Sequence, residues 1–343
     1  MNNNQTLALR DNAKQQLLQI KTVESGMEYL NKVKAIEVWA KAEKKDAELQ
    51  NIVAEQKIRT QRILGVLIKE GQKKGEIRKQ NEGTRVSTQK ELTNIGISKK
   101  ESSNFKAIAE IPERKFEDFI SEKKEAVNKP VSELTTAGML SVSKKIKLQQ
   151  KKMDYEKKVS GEKNTTNKID IFKTDKKFRI IYADPAWSYN DKQNTAQLGG
   201  AEKHYDTMTI KEICLLPVNK ISEKDSVLFL WVTSPLLEDS FQVIKAWGFK
   251  YKSSFIWDKI KHNMGHYNSV RHELLLVCTK GNCIPDEKIL YDSVISIERN
   301  NNHSEKPIEF MNMIDAIYTY GNKLEMFARK EKKETWFIWG NEC

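Results

Sequence analysis

The chain has 343 residues, of which 38% are hydrophobic and 31% charged, with 59 Lys and Arg against 47 Asp and Glu. That length exceeds the ~100–200 residues of one ordinary domain, so one compact domain with an accessory region is the first expectation. No apolar run reaches the ~18 residues needed to cross a bilayer, and the start "MNNNQTLALRDNAKQQ" has neither the apolar core of a secretory signal nor the character of a transit peptide, so a cytoplasmic protein with no membrane partner is expected. Four cysteines (Cys214, Cys278, Cys283, Cys343) without a CxxC pair, and five scattered histidines, argue against a disulfide framework and against a bound metal.

The charge is lopsided. Residues 1–170 hold 35 Lys and Arg against 24 Asp and Glu, an excess of 11, whereas residues 171–343 hold 24 against 23. A basic region attracts phosphate backbones by releasing their counterions, although solvated Lys-rich helices give the same count without binding anything. Nucleic acid is the favoured partner on this ground.

In chain order, residues 29–64 contain no Gly or Pro, and their apolar residues recur at threes and fours, which predicts one long helix or two in line. The seam Leu30, Val33, Ile36, Ala40, Leu49, Ile52, Ile58 and Ile63 is too irregular for a strict heptad coiled coil, so packing on a neighbouring helix is expected, with a homodimer through these helices left open. A Gly/Lys-rich break follows. The stretch "STQKELTNIGISKKESSNFKAIAE" then reads as a helix-turn-helix: a short first helix from Thr88 to Asn94, a turn at Gly96, a cap at Ser98 and a second helix from Lys99 to Glu110. Lys99, Lys100, Ser102, Ser103, Asn104 and Lys106 are expected to face outward, and Lys99, Lys100, Ser103, Asn104 and Lys106 are the candidate DNA-binding residues. A plain helical hairpin gives the same pattern. Residues 142–170 are polar and Lys-rich and predict a helix end running into a flexible linker at 141–168, between a helical region (1–140) and a second domain (169–343).

From Phe178 the texture changes to short β-rich runs, "FRIIYA", "SVLFLWV", "SSFIW", "ELLLVC", "LEMFA" and "TWFIW", interleaved with helical patterns at 209–216, 235–247 and 307–319. Alternating β and α elements predict an α/β, Rossmann-like doubly wound sheet that is largely parallel. In such sheets ligands sit beyond the carboxyl ends of strands, and "ADPAW" ends the first run.

The residue types there suit one chemistry. A nucleobase amine is a poor nucleophile, because its lone pair is delocalised into the ring. A carboxylate at Asp184 and the carbonyl of Pro185 can accept its two N–H bonds and localise that pair, with the proline ring fixing the carbonyl. Trp187, with Tyr189 near it, offers a flat face for an extruded base. A turn capped by Asp184 with Trp187 in the core accounts for the same four residues.

The neighbouring blocks "AEKHYDTMTIKEI", "LFLWVTSPLLEDSFQVIKAWGFKY", "FIWDKIK", "GHYNSVRHELLLVCTKG", "SEKPIEFMNMI" and "KLEMFARKEKKETWFIWGNE" break that tie. Together with "ADPAWSY" they resemble the adenine-N6 methyltransferases of the DPPW type, whose eukaryotic members methylate messenger RNA and whose bacterial and phage members act on DNA. The resemblance covers residues from about 168 to 343. It implies S-adenosylmethionine as cofactor, with Asp184, Pro185, Ala186 and Trp187 as the catalytic tetrad. Tyr189, Tyr205, Lys259 and Glu273 would line the adenine side. Lys306 would meet the methionyl carboxylate, Arg329, Asn341 and Glu342 would surround the ribose and adenine, and Asp170, Ile171, Asp184 and Glu325 would complete the cofactor site. Two positions depart from the family pattern: Ala186 replaces the second proline, and Glu342 replaces the closing amide. No GxGxxG loop follows any strand, and "LEMFAR" stands in its place. Cytosine-C5 chemistry needs a cysteine nucleophile and no Pro-Cys occurs, while cytosine-N4 transfer poses the same problem as adenine and stays open. The first half resembles, more loosely, phage proteins with "GISKKESSNFKAIAEIPE"-like segments, which favours DNA over RNA as partner and substrate. An RNA enzyme and a catalytically silent scaffold are the alternatives.

Overall fold

The computed structural model describes residues 3–43, 47–78, 90–125, 134–160, 167–188, 207–264, 267–299 and 305–340. The chain divides into two compact units, 1–150 and 151–343. No helix among the described residues is long and apolar enough to cross a membrane.

The first unit is helical: α1 (Asn3–Leu18), α2 (Val23–Ala42), α3 (Ala47–Lys74), α4 (Lys99–Ala109), α5 (Glu113–Glu125) and α6 (Thr136–Ser160), which ends in the second unit. α2 starts on a capping box, with Ser25 donating its backbone N–H to Thr22 Oγ1 at 3.2 Å. The expectation of one helix, or two in line, over residues 29–64 is corrected. α2 and α3 run antiparallel and side by side, with Tyr29 donating to Gln56 at 3.4 Å while Gly26, a turn earlier, faces Leu64. The reason is burial. Leu30, Val33, Ala40, Ile52 and Ile58 are all at most 5% exposed in this arrangement, and an in-line helix would leave the seam in water.

The turn at Gly96 adopts φ +80°, a left-handed conformation that suits glycine. Ser98 caps α4 through a capping box with Glu101. The short first helix does not form as expected. Lys90 is extended, exchanging backbone bonds with Glu76 and Arg78, and only Leu92–Ile95 coil, as one 3₁₀ turn. The described residues therefore do not show a helix-turn-helix, and Thr88 lies outside them. Ser102, expected on the outer face, is fully buried. It follows Glu101 on the side that carries Phe105, three residues on, into the core. Residues 142–160, expected to loosen into a linker, are helical through Ser160.

The second unit is built on a seven-stranded sheet: β1 (Phe178–Ala183), β2 (Ser222–Val232), β3 (Lys250–Met264), β4 (Ser269–Lys280), β5 (Val294–Ser296), β6 (Lys323–Met326) and β7 (Phe337–Trp339), in the order β5-β3-β4-β2-β1-β6-β7. The pairs β1–β2, β1–β6, β6–β7 and β3–β5 are parallel, while β4 is antiparallel to both β2 and β3. One strand thus runs against the other six. α7 (Ile210–Leu215), α8 (Val218–Ile221) and α9 (Leu237–Ala246) cover one face, packing Ile213, Val218 and Val243 against Ile181, Leu228 and Leu230. α10 (Ile308–Ile317) covers the other, where Phe310 and Ile314 meet Tyr182, Phe229 and Trp231. β1 and β2 read as unbroken apolar runs because both of their faces are covered. The three-residue β5 gave no apolar run to read. The chain leaves β1 toward β2 on one side and returns to β6 on the other, so the switch point lies at the carboxyl end of β1.

Gly65 sets the approach of α3 to α4: a Cβ there would lie 2.1 Å from the Phe105 carbonyl oxygen. Gly65→Ala should therefore cost ~1–3 kcal/mol by forcing the helices apart. A thermal melt of the full chain checks this, and a first-unit transition as stable as that of the unmodified protein would remove the close approach as a constraint.

Candidate active site at the end of the central strand

Strand topology, more than local sequence, assembles the site. β1 ends at Ala183, so Asp184 emerges at the carboxyl edge of the sheet. β4 runs the other way, and its Leu274 pairs with Val232 at the end of β2, which brings the preceding Glu273 to the same edge. Glu273 in turn pairs with Trp257 of β3, two residues before Lys259. Lys306 precedes α10, whose cap is Pro307. Four charged residues from distant parts of the chain converge in this way.

Lys306 is the centre of the group. Its ammonium donates to both oxygens of Asp184, at 2.8 and 2.7 Å, and lies 3.3 Å from Glu273 Oε2. Lys259 donates to the other Glu273 oxygen. The Lys306 side chain is 5% exposed, Glu273 12% and Asp184 28%, so Asp184 is the member that opens to solvent. The ring of Trp231 lies 5.5 Å from the Lys306 ammonium, which adds a cation–π contact. Burial works against ionisation of Asp184, Glu273 and Lys306. For Glu273 the Lys306 and Lys259 charges overcome burial and hold the carboxyl below its ordinary range. For Lys306 the two carboxylates overcome burial and keep the ammonium charged. At Asp184 burial prevails over the attraction of Lys306, and with the repulsion of Glu273 it pushes that carboxyl upward.

The loop after β1 is held firmly. Met208 donates its N–H to the Ala186 carbonyl at 2.8 Å and accepts from Ser188 at 3.0 Å. The Pro185 carbonyl accepts from the Trp187 N–H at 2.9 Å, which leaves its second lone pair for another donor. Trp187 is not the open stacking face that the sequence suggests. It is 5% exposed, packed among Ala183, Val232 and Leu236, and its indole N–H donates to the Trp231 carbonyl at 3.1 Å. Its amphipathic ring fixes the loop from behind because the indole nitrogen finds a partner in the core.

On the cofactor side of the resemblance, Asp170 accepts from the Phe172 N–H at 2.9 Å and pairs with Lys173 at 3.3 Å, and Ile171 is a core residue, 1% exposed. Arg329 is exposed. Glu325 lies on β6 opposite Tyr182, two residues before Asp184, so its side chain shares the Asp184 face of the sheet. It is 6% exposed, and its Oε2 is buried without a hydrogen-bond partner. Burial pushes this carboxyl up to about 7, with Lys332 pulling it down and Asp184 adding to the rise. Tyr189, Tyr205, Asn341 and Glu342 lie outside the described residues. Phe327, just after β6, has φ +64°, an uncommon conformation for an aromatic residue, at the strand end that borders the switch point.

Two residues escape a reading of the sequence. Trp231 is hidden inside an apolar run, yet it supports both Trp187 and Lys306. Lys332 donates to the Lys306 carbonyl at 3.4 Å and acts electrostatically on Asp184 and Glu325. Within "RKEKK" nothing distinguishes it from its neighbours.

The cluster thus presents two carboxylates, Asp184 and Glu325, and two ammonium groups, Lys306 and Lys332. That donor set fits the amino-acid end of S-adenosylmethionine, which carries a carboxylate, an ammonium and a sulfonium. The orphaned Glu325 oxygen is an acceptor suited to one of the positive groups.

Comparison with known proteins identifies the family of the second unit. The MT-A70 family pattern matches residues 178–342. A type II methyltransferase, M.MunI of a Mycoplasma species, is 34% identical over 185 residues, 49% of this chain and 78% of that one. A rice protein named as a probable N(6)-adenosine-methyltransferase is 29% identical over 217 residues, 60% of this chain and 29% of its own. The human N(6)-adenosine-methyltransferase catalytic subunit METTL3 is 27% identical over 176 residues, 48% of this chain and 28% of its own. The chain therefore spans most of the bacterial relative and less than a third of the two eukaryotic ones, and it belongs to the MT-A70 family.

Proposed function

We propose that the protein transfers a methyl group from S-adenosylmethionine to the 6-amino group of an adenine in DNA, with the base turned out of the duplex and presented to Asp184. The observation that carries the reading is the Asp184 carboxylate at the switch point, partly open to solvent and held by Lys306 beside the Pro185 carbonyl. Asp184 and the free lone pair of Pro185 accept the two amine protons, so the nitrogen lone pair turns away from the ring. Asp184, already pushed upward by burial, then takes the proton released as the new N–C bond forms. Trp187 contributes by fixing the loop and leaves stacking to other groups. The cofactor supplies an electrophilic methyl group on a sulfonium. Lys306 and Lys332 would face its carboxylate, and Asp184 and Glu325 its positive groups. Asp170, Ile171 and Arg329, with Asn341 and Glu342, would serve its adenosine.

DNA is favoured because the excess of positive charge lies in the first half and because, of the relatives compared, the type II methyltransferase is the one the chain most fully covers. The first unit, with Lys99, Lys100, Ser103, Asn104 and Lys106 on α4, would supply affinity while the second supplies chemistry. An RNA adenosine is the second reading, motivated by the N(6)-adenosine-methyltransferase relatives. Transfer of labelled methyl to matched duplex DNA, single-stranded DNA and RNA, with the product nucleoside identified, separates them. N6-methyladenine in duplex DNA is expected, and product only in RNA would overturn the DNA assignment.

Asp184→Asn should lower turnover by ~10²-fold or more, because the amide presents one acceptor and brings unwanted donors. Unchanged turnover in a folded Asp184→Asn variant would remove this residue from the reaction.

The Glu325 carboxyl gives a pH signature. Its value of about 7 is raised, so below that pH it is protonated and neutral, and above it the carboxylate is available to a positive ligand group. Cofactor affinity should rise with pH through this window by up to about tenfold per unit. Glu325→Gln should remove that component. Calorimetry with identical pH profiles for the two proteins would sever Glu325 from the cofactor.

A further inference from the structure

We propose that a second site, in the first unit and apart from the charged cluster at Asp184, seats the phosphodiester backbone of duplex DNA. It is a groove of about 520 Å³ between α3, α4 and α6, lined by Lys69, Gln72, Lys73, Ser103, Lys106, Ala107, Glu110 and Lys147. This inference rests on the DNA reading above and deepens it, because it moves the binding surface. Of the α4 residues expected to touch DNA, only Ser103 and Lys106 line the groove, and Lys99, Lys100 and Asn104 do not.

The helical period explains the wall. Ser103, Lys106 and Glu110 recur at three and four residues along α4, and Lys69 and Lys73 stand one turn apart on α3, ~6 Å along its axis. Four lysines from three helices therefore converge on a cleft that holds one acid. Glu110 sits between Lys69 at 3.3 Å and Lys147 at 2.8 Å, and Lys106 donates to Gln72 at 3.4 Å. The side chains of Lys69, Lys147 and Glu110 are each at least 40% exposed, so water screens these pairs and they are readily exchanged for an external anion.

Three features of the lining choose the occupant. The excess of lysine selects a polyanion over a neutral ligand. Ser103 and Gln72 add neutral donors of the kind that bond phosphate oxygens. No aromatic ring lines the groove, whereas sites for single strands and splayed RNA loops stack their bases on aromatic faces. Ala107 is the one apolar lining residue, which gives an acidic peptide little to bury. A backbone whose bases stay paired and inward needs none of these missing parts.

The test uses the full-length chain and fluorescence anisotropy on a short labelled duplex across a salt series. Lys73→Gln combined with Lys106→Gln should lower duplex affinity and flatten the dependence of log K on log salt by ~0.9 for each phosphate that is no longer neutralised. Glu110→Gln should raise affinity at low salt, a gain that a purely structural role would not produce. Lys32→Gln, the same charge change at an exposed position on α2, should leave the slope as it is. The proposal is overturned if the double variant, folded by circular dichroism, keeps the original slope, or if Lys32→Gln flattens it equally. Preferential binding of single-stranded RNA or poly-glutamate by the original protein, abolished by the double variant, would likewise overturn the duplex assignment. Failure of the groove is distinguishable from failure of the methylation reading, because the product nucleoside is identified independently with the unmodified protein.

Discussion

Two carboxylates brought within reach of one buried ammonium set the terms for the rest of the second unit. Without Lys306, Asp184 and Glu273 would repel each other at a sheet edge that excludes most water. Leaving buried charge uncompensated in that way costs ~3–5 kcal/mol. With Lys306 between them and Lys259 behind, each charge has a partner at bonding distance. The arrangement holds Asp184 in place at the switch point yet 28% open, so an acceptor is available without being left to find its own orientation. Preorganisation of this kind is what a reaction needs when its difficulty lies in holding an amine in an unfavourable geometry.

The sheet exists in this form to deliver those residues. A wholly parallel sheet would bring only strand carboxyl ends to the active edge, whereas the reversed β4 brings an amino end, and with it Glu273, beside β2. Trp231, near the end of β2, is then surrounded: it accepts from Trp187, lies under Lys306 and packs edge-on to Trp257 and Phe310. An aromatic residue at that point serves as floor for the ion cluster and anchor for the catalytic loop, and so couples the apolar core to the polar site.

What the sequence reveals depends on whether the deciding interaction is local. The apolar runs of β1, β2 and β4 are fixed by burial on both faces, and the Ser98 cap with its Glu101 partner is written within four residues. Asp184, Lys306, Lys259 and Glu273 are marked by resemblance and then brought together by topology. Where reading fails, a distant partner decides. Lys90 is extended because Glu76 and Arg78 bond it, α2 folds back on α3 because their seams match, and Trp187 turns inward because the Trp231 carbonyl is there to accept. Lys332 illustrates the opposite difficulty: five charged residues in a row hide the one whose ammonium reaches the Lys306 carbonyl.

The distribution of cations supports a division of labour between the two units. In the second unit the buried cations are committed inward: Lys306 and Lys259 to the site carboxylates, Arg179 to Asp286 in a buried bidentate pair, and Lys323 and Lys333 to Asp315, which also accepts from Trp336. Residues 151–343 hold 30 Lys and Arg against 27 Asp and Glu, an excess of 3. A catalytic edge of that kind can recognise a base by hydrogen bonds, but it has little long-range attraction for a phosphate backbone. Under the proposed DNA reading, the excess of 9 in residues 1–150 supplies that attraction, and the groove on α3, α4 and α6 is where it acts. Under that reading, chemistry that draws on a largely buried cluster of charges and binding that draws on exposed, exchangeable lysines make opposite demands on solvation, and the chain meets them on separate units.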